Sequence, residues 1–208
     1  MNTLSKFSLS VALGIFASPA FSQTSIGPFT GNHSETFDEF PPQDVSLFLP
    51  NPTPAFDGTA TLATILGPGG CCGLAVYDAG AHQFGSFVPT DGLQYAVTQD
   101  FGDTLLFTFS SLIENFGAYW GASTLHVEFQ SAAGVTVGSG NYTPPPSPDG
   151  TLHWLGWNLA TPFKSVTVTT LDGSLIVLDS AQESVPEPGS LALLGIGALA
   201  ALRRRRVV

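Results

Sequence analysis

The residues between Phe29 and Ser184 carry hydrophobicity at a period of two, and that periodicity limits the chain to sheet. Thr124 to Gln130 alternates without a break: Leu125, Val127 and Phe129 fall on one face, His126, Glu128 and Gln130 on the other. Leu105, Phe107 and Phe109 repeat at the same spacing, and Val166 and Val168 alternate with Thr167 and Thr169. Successive strand side chains point to opposite faces, so each run describes a ribbon with one apolar side. Turn dipeptides lie between the runs: Asp91-Gly92, Ala133-Gly134, Asp149-Gly150 and Asp172-Gly173. Leu171 to Ser174, between Val166–Thr170 and Leu175–Leu178, reads as a tight hairpin. Tyr142 to Asp149, which holds four prolines, reads as a surface loop. No stretch from 30 to 182 shows a helical period. The predicted fold is all-β, an antiparallel β-sandwich of jelly-roll type, with a signal helix before it and a short hydrophobic helix after it.

Both ends differ from this body. Lys6 precedes an apolar run from Phe7 to Phe16, followed by small residues around Ala20 and Ser22. A charged start, a hydrophobic stretch and small residues at a cut site make a signal peptide. The run is too short for a membrane span, which needs about 20 apolar residues. Cleavage after Ala20 or Ser22 fits, and Ser22 is preferred. The implied partners are the secretory translocon and signal peptidase. The expected division is a signal peptide over 1–22, a β-sandwich ectodomain over 23–183 and a tail over 184–208.

In the tail, Pro186, Glu187 and Pro188 hold the backbone extended. Residues 189–202 carry no charge, and Arg203, Arg204, Arg205 and Arg206 follow. As a helix the uncharged run reaches about 21 Å, short of a hydrocarbon core of roughly 30 Å, a gap that arginine snorkelling and local thinning can close. The four arginines act as a stop-transfer signal that stays cytoplasmic. A helix buried in the domain would show a polar face, and this run has none.

Order, spacing and position of these pieces resemble the PEP-CTERM sorting signal of Gram-negative bacteria. The resemblance covers the last two dozen residues or so. It implies capture of an inner-membrane-anchored precursor by exosortase, a membrane protease-transpeptidase, with cleavage near Pro186-Glu187-Pro188. It also implies a genome that makes exopolysaccharide, and a destination at the cell surface or in the extracellular matrix. The body is similar, more loosely, to β-sandwich ectodomains of PEP-CTERM proteins, through Glu35-Thr36-Phe37, Phe116 to Trp120, and Phe163 to Leu178 ending at Asp179. That likeness implies a binding or matrix role of the kind carbohydrate-binding modules perform.

Charge narrows the partners. Between Gln23 and Glu183 there are 15 acidic residues and one lysine, a formal balance of −14. Such a body lacks the cations that nucleic-acid phosphates require, so no nucleic-acid partner is expected. Cys71 and Cys72 are adjacent, and export favours their oxidation. A vicinal disulfide, an intermolecular bond and two free thiols all stay open. Neighbouring cysteines enclose almost no loop, so a bridge between them adds little stability.

Catalytic constellations are missing. There is no G-x-S-x-G, no H-E-x-x-H and no phosphate-binding loop. His33, His82, His126 and His153 have no shared metal spacing. Asp100 and Asp103 flank Phe101-Gly102, which is ordinary turn chemistry. The expectation is a non-enzymatic protein, with a secreted polysaccharide hydrolase as the alternative. Sugar binding falls to aromatic rings, which offer flat apolar faces to pyranoses. The candidates are Trp154, Tyr119 and Trp120. If His153 to Leu159 is a strand, Trp154 and Asn158 share one face, while Leu155, Trp157 and Leu159 share the other, making Trp157 a core residue. A Ca²⁺ ion is the candidate cofactor, on Asp38, Glu39 and Asp179 if the first and last strands pair, although six to eight oxygens must then converge.

Overall fold

The computed structural model describes residues 23–40, 48–68, 70, 73–78, 87–99, 102–121, 124–146 and 149–186. The expected signal peptide, Cys71, Cys72, Asp100, Glu187, Pro188, the apolar run and the four arginines lie outside the described residues. Eleven strands account for the regular structure: β1 Gln23–Ile26, β2 His33–Glu35, β3 Thr53–Ala55, β4 Ala60–Ile65, β5 Leu74–Asp78, β6 Gln94–Thr98, β7 Thr104–Trp120, β8 Leu125–Gln130, β9 Thr136–Tyr142, β10 His153–Thr170 and β11 Val177–Ser184. Every pairing between them is antiparallel. No helix occurs among the described residues, so the described body is all-β as the periodicity predicts.

Two long strands build both layers of the sandwich. The first half of β7 pairs with β4, and through residues 104–108 with the second half of β10, which in turn pairs with β8. This gives one layer in the order β3-β4-β7-β10-β8-β9. The second half of β7 pairs with β11, and through residues 115–120 with the first half of β10, which carries β1 on its other side. This gives a second layer, β5-β6-β11-β7-β10-β1, with β2 also on β11. The register of β7 and β10 breaks between Asn158 and Ser165. Such irregularities bend strands and turn sheet corners.

The bend is visible in the core. Phe107 and Phe116 are nine positions apart on β7 and would be separated by roughly 30 Å on a straight strand. Their ring centroids are 5.0 Å apart, so the strand folds back on itself. Phe129 touches both Trp157 at 5.6 Å and Phe163 at 4.9 Å, closing the layers on each other. Phe107, Phe116, Phe129, Phe163 and Trp157 are all at most 1% exposed, and side chains of this kind contribute about 1.5–3 kcal/mol each on full burial. A second, smaller cluster of Tyr77, Tyr95, Val97, Leu152 and Val177 covers the other side of β5 and β6. For that reason all five residues of β6 are buried and its sequence shows no alternation.

The period-two reading holds for β8, whose Leu125, Val127 and Phe129 are buried while their neighbours are half-buried. It holds for Leu105, Phe107, Phe109, Val166, Val168 and Trp157 as well. The hairpin expected at Leu171 to Ser174 does not form. The turn is there: Asp172 Oδ1 accepts the Ser174 N–H at 3.0 Å and Gly173 has φ +71°. Its flanks part, however, because β7 and β8 already occupy both sides of the second half of β10. The chain crosses to the other layer instead, where β11 joins β7, β6 and β2.

Candidate functional site

The outer face of the second layer gathers the sequence candidates. Register places its outward residues in three rows. Thr24, Asn158, Asn115 and Ser184 form the first; Ile26, Gly156, Gly117 and Gln182 the second; Trp154, Tyr119 and Asp179 the third. The first row is a hydrogen-bonded polar ladder. Asn158 Nδ2 donates to Asn115 Oδ1 at 2.7 Å, and Asn115 Nδ2 donates to Ser184 Oγ at 2.6 Å.

The second row explains how Trp154 lies. A Cβ at Gly117 would stand 2.4 Å from Trp154 Cζ2, and one at Gly156 2.7 Å from Trp154 Nε1. The indole therefore rests on a floor that only glycine supplies. From β1 at one edge to β2 beyond β11, the chain crosses this face through residues 27–32. Trp154 Nε1 donates to the Ile26 carbonyl at 2.9 Å, and Phe29 meets the indole edge-on at 5.7 Å. Tyr119 also meets it edge-on, at 5.2 Å. Trp154 and Tyr119 are both half-buried.

Trp120 leaves the candidate set. Adjacent strand residues face opposite ways, so Tyr119 and Trp120 cannot both look outward. Trp120 is 0% exposed in the main core, with its indole N–H buried and lacking a hydrogen-bond partner. The sequence signal that separates the two was present: Phe116, Ala118 and Trp120 share the apolar side of β7.

The last strand, β11, pairs with an early one, β2, through Ala181–Glu35 and Glu183–His33, while β1 pairs with β10. The carboxylates serve another purpose. Asp179 Oδ2 accepts the Thr90 and Asp91 N–H groups at 2.6 and 3.2 Å, and its Oδ1 accepts that of Ser180 at 2.6 Å. Asp38 Oδ1 accepts the Leu93 and Gln94 N–H groups at 2.9 and 3.1 Å. Together they fasten the loop that leads into β6. Glu39 is exposed and its charge acts on Glu35. Among the described residues no three His, Cys, Asp or Glu side chains converge on one point. Burial pushes the Asp179 carboxyl up to about 6, against the pull of its three amides.

Sequence reasoning missed two further buried acids. Glu35 is 3% exposed, with Oε1 accepting the Phe37 N–H and Oε2 the Phe56 N–H, both at 2.9 Å. Desolvation raises its carboxyl above the ordinary range, those two amides oppose the shift, and the charges of Glu39 and Asp57 add to it. Glu183 is 2% exposed, raised by burial and pulled down by His33, whose Nε2 stands 3.9 Å from Oε1. Nothing local in the sequence separates these acids from the solvated ones. Asp103, read as a turn residue, is buried and accepts the Gly67 N–H at 2.9 Å. His126 is half-buried and bonds Asn141 at 2.8 Å.

β11 runs straight into the tail. Asn32 N–H donates to the Glu183 carbonyl at 2.8 Å, and Val185 N–H donates to Asn32 Oδ1 at 2.9 Å. Residues 184–206 match the family described as the PEP-CTERM protein-sorting motif. No curated protein sequence matches the chain. Solved structures with some similarity include the enzymatically active domain of bacteriophage CBA120 tailspike protein 4, at 14% identity and TM-score 0.35, covering 60% of this chain and 19% of that one. A Ruminococcus gnavus GH29 fucosidase aligns at 13% identity and TM-score 0.35, over 62% of this chain and 26% of the enzyme. CsCBM6-3 of Clostridium stercorarium, solved with cellobiose, aligns at 15% identity and TM-score 0.32, over 54% of this chain and 87% of the module. All three scores are below 0.5. Residues 184–206 thus carry a PEP-CTERM protein-sorting motif, the mark of an exported protein.

Proposed function

We propose that the mature protein is a non-enzymatic component of the cell surface or extracellular matrix that binds exopolysaccharide or another envelope glycan through the outer face of its second layer. The supporting observation is the pairing on that face of two half-buried rings, Trp154 and Tyr119, with the amide ladder of Asn158 and Asn115. Rings stack on the apolar faces of pyranoses, while side-chain amides exchange hydrogen bonds with hydroxyls. A glycan has no charge requirement that a strongly acidic body would frustrate, provided the polysaccharide is neutral.

The test is a glycan array, followed by titration of the best neutral ligand, with the full-length protein in detergent. Tyr119→Ala is the clean variant, because Trp154 also supports the crossing segment. Tyr119→Ala should weaken binding about tenfold, in line with a ring contact of about 1–1.5 kcal/mol, and leave thermal unfolding within a few degrees. Unchanged affinity would remove the site from this face. Release of new reducing ends from the bound polysaccharide would replace the binding reading with the hydrolase one.

A further inference from the structure

The body hands over to the sorting tail at a buried carboxylate. Glu183 immediately precedes the matched motif, and its side chain is 2% exposed. Oε1 stands 3.9 Å from His33 Nε2, beyond hydrogen-bond range. Oε2 is buried with no hydrogen-bond partner. The carboxylate lines a cavity of about 40 Å³, together with His33, Thr59, Ser110 and Ser111, over an apolar floor of Phe109 and Ile113. One water-sized body needs about 10–15 Å³ of such space, so the cavity takes about three or four. Lys164, the one lysine of the body, donates from Nζ to the Ser110 carbonyl and makes no hydrogen bond to Oε2.

An ionised carboxylate with an open oxygen is costly to bury unless a positive charge joins it. We propose that this pocket binds one small monovalent cation of sodium size, with Glu183 Oε2 as its charged ligand and oxygens of Thr59, Ser110 and Ser111 around it. Carboxylate and hydroxyl oxygens are hard donors, suited to alkali and alkaline-earth ions and not to thiophilic metals. A single carboxylate neutralises a single charge. Ca²⁺ would carry a second, uncompensated charge and require six to eight oxygens, more than this small pocket offers. The occupied site ties β11 to the bend of β7 and to the turn before β4, and so fixes the point where Ser184 to Pro186 leave the body.

The experiment is thermal unfolding of the full-length protein in detergent at pH 8, in sodium chloride against choline chloride at matched ionic strength. Sodium should raise the Tm by about 2–4 °C and saturate. Glu183→Gln, which keeps the side-chain shape, should lose that sodium-specific rise, and the ²³Na relaxation enhancement of the wild type should vanish with it. If Glu183→Gln does not fold, Ser111→Ala carries the test, with weakened ²³Na relaxation expected. Equal shifts in choline, or a sodium shift that survives Glu183→Gln, would overturn the site. A rise given by Ca²⁺ or Mg²⁺ and not by sodium would overturn the monovalent assignment. Insensitivity to every cation, with stability rising as pH falls, would assign Oε2 a proton in place of a metal ion and overturn the proposal.

Discussion

Glu35 and Glu183 sit on the paired strands β2 and β11, are 3% and 2% exposed, and meet opposite fates. Each oxygen of Glu35 takes a backbone amide. The residues that supply them, Phe37 and Phe56, hold φ of 64° and 53°, a left-handed backbone that costs about 1–2 kcal/mol at a non-glycine residue. Glu35 thus fixes two strained turns and is part of the architecture. Glu183 lines a cavity, and its buried Oε2 accepts no hydrogen bond and stabilises no backbone. Burial alone does not distinguish a structural acid from a binding acid. The accounting of partners does, because a buried polar atom is either satisfied by the fold or left for something else.

The sharpest way to break this contrast is Glu35→Ala. It strands two buried amides, each costing about 1–3 kcal/mol, and a loss of about 4 kcal/mol is expected in urea unfolding at pH 7. A loss below about 1 kcal/mol would put Glu35 in the same class as Glu183. Asp179 gives the next largest effect, read against pH. Its folded carboxyl lies at about 6 against an ordinary 3.8, so the folded chain holds the proton more tightly than the unfolded one. Its contribution is then fully present below pH 3.8 and lost as pH rises to about 6, a fall of about 3 kcal/mol. The stability difference between wild type and Asp179→Asn should decline by most of that amount from pH 4 to pH 7, and a flat difference would show that the three amides offset desolvation.

Gly92→Ala probes the loop that Asp38 and Asp179 hold. Its Cβ would stand 1.5 Å from Asp38 Oδ2 at a φ of +68°, and the expected loss is about 1–2 kcal/mol. The smallest effect belongs to Glu183→Gln in sodium-free buffer, a change within about 1 kcal/mol in either direction. It removes an ionisable group whose charged form burial disfavours and breaks no backbone hydrogen bond made through Oε2. A loss as large as that of Glu35→Ala would erase the distinction between the two acids.

Face assignments were legible and strand partners were not. Leu125, Val127 and Phe129 point inward because alternation and the pleat have the same period. The same logic separated Trp154 from Trp157. It separates Tyr119 from Trp120 as well, since Trp120 shares the apolar side of β7 with Phe116 and Ala118, but it does not find the partners at Leu171 to Ser174, where a correct turn joins strands of different layers. A turn signal describes four residues of backbone, whereas pairing depends on which edges are still free after β7 and β8 have docked on β10. In β6, burial from both sides erased the alternation on which the reading depends.

The sequence by itself determined the sorting tail, the all-β class and the inward set of most strands, because each of these is written in local order: a motif, a period, a charge cluster. Tertiary structure alone decided that β7 and β10 bend to build both layers, that Trp154 lies on Gly117 and Gly156, and that Glu35 is satisfied while Glu183 is not. These outcomes depend on groups far apart in the chain, such as Phe56 with Glu35 and Ser110 with Glu183. Local sequence fixes which way a side chain points along its strand; what it then meets is set by the packing of segments that no short-range pattern encodes.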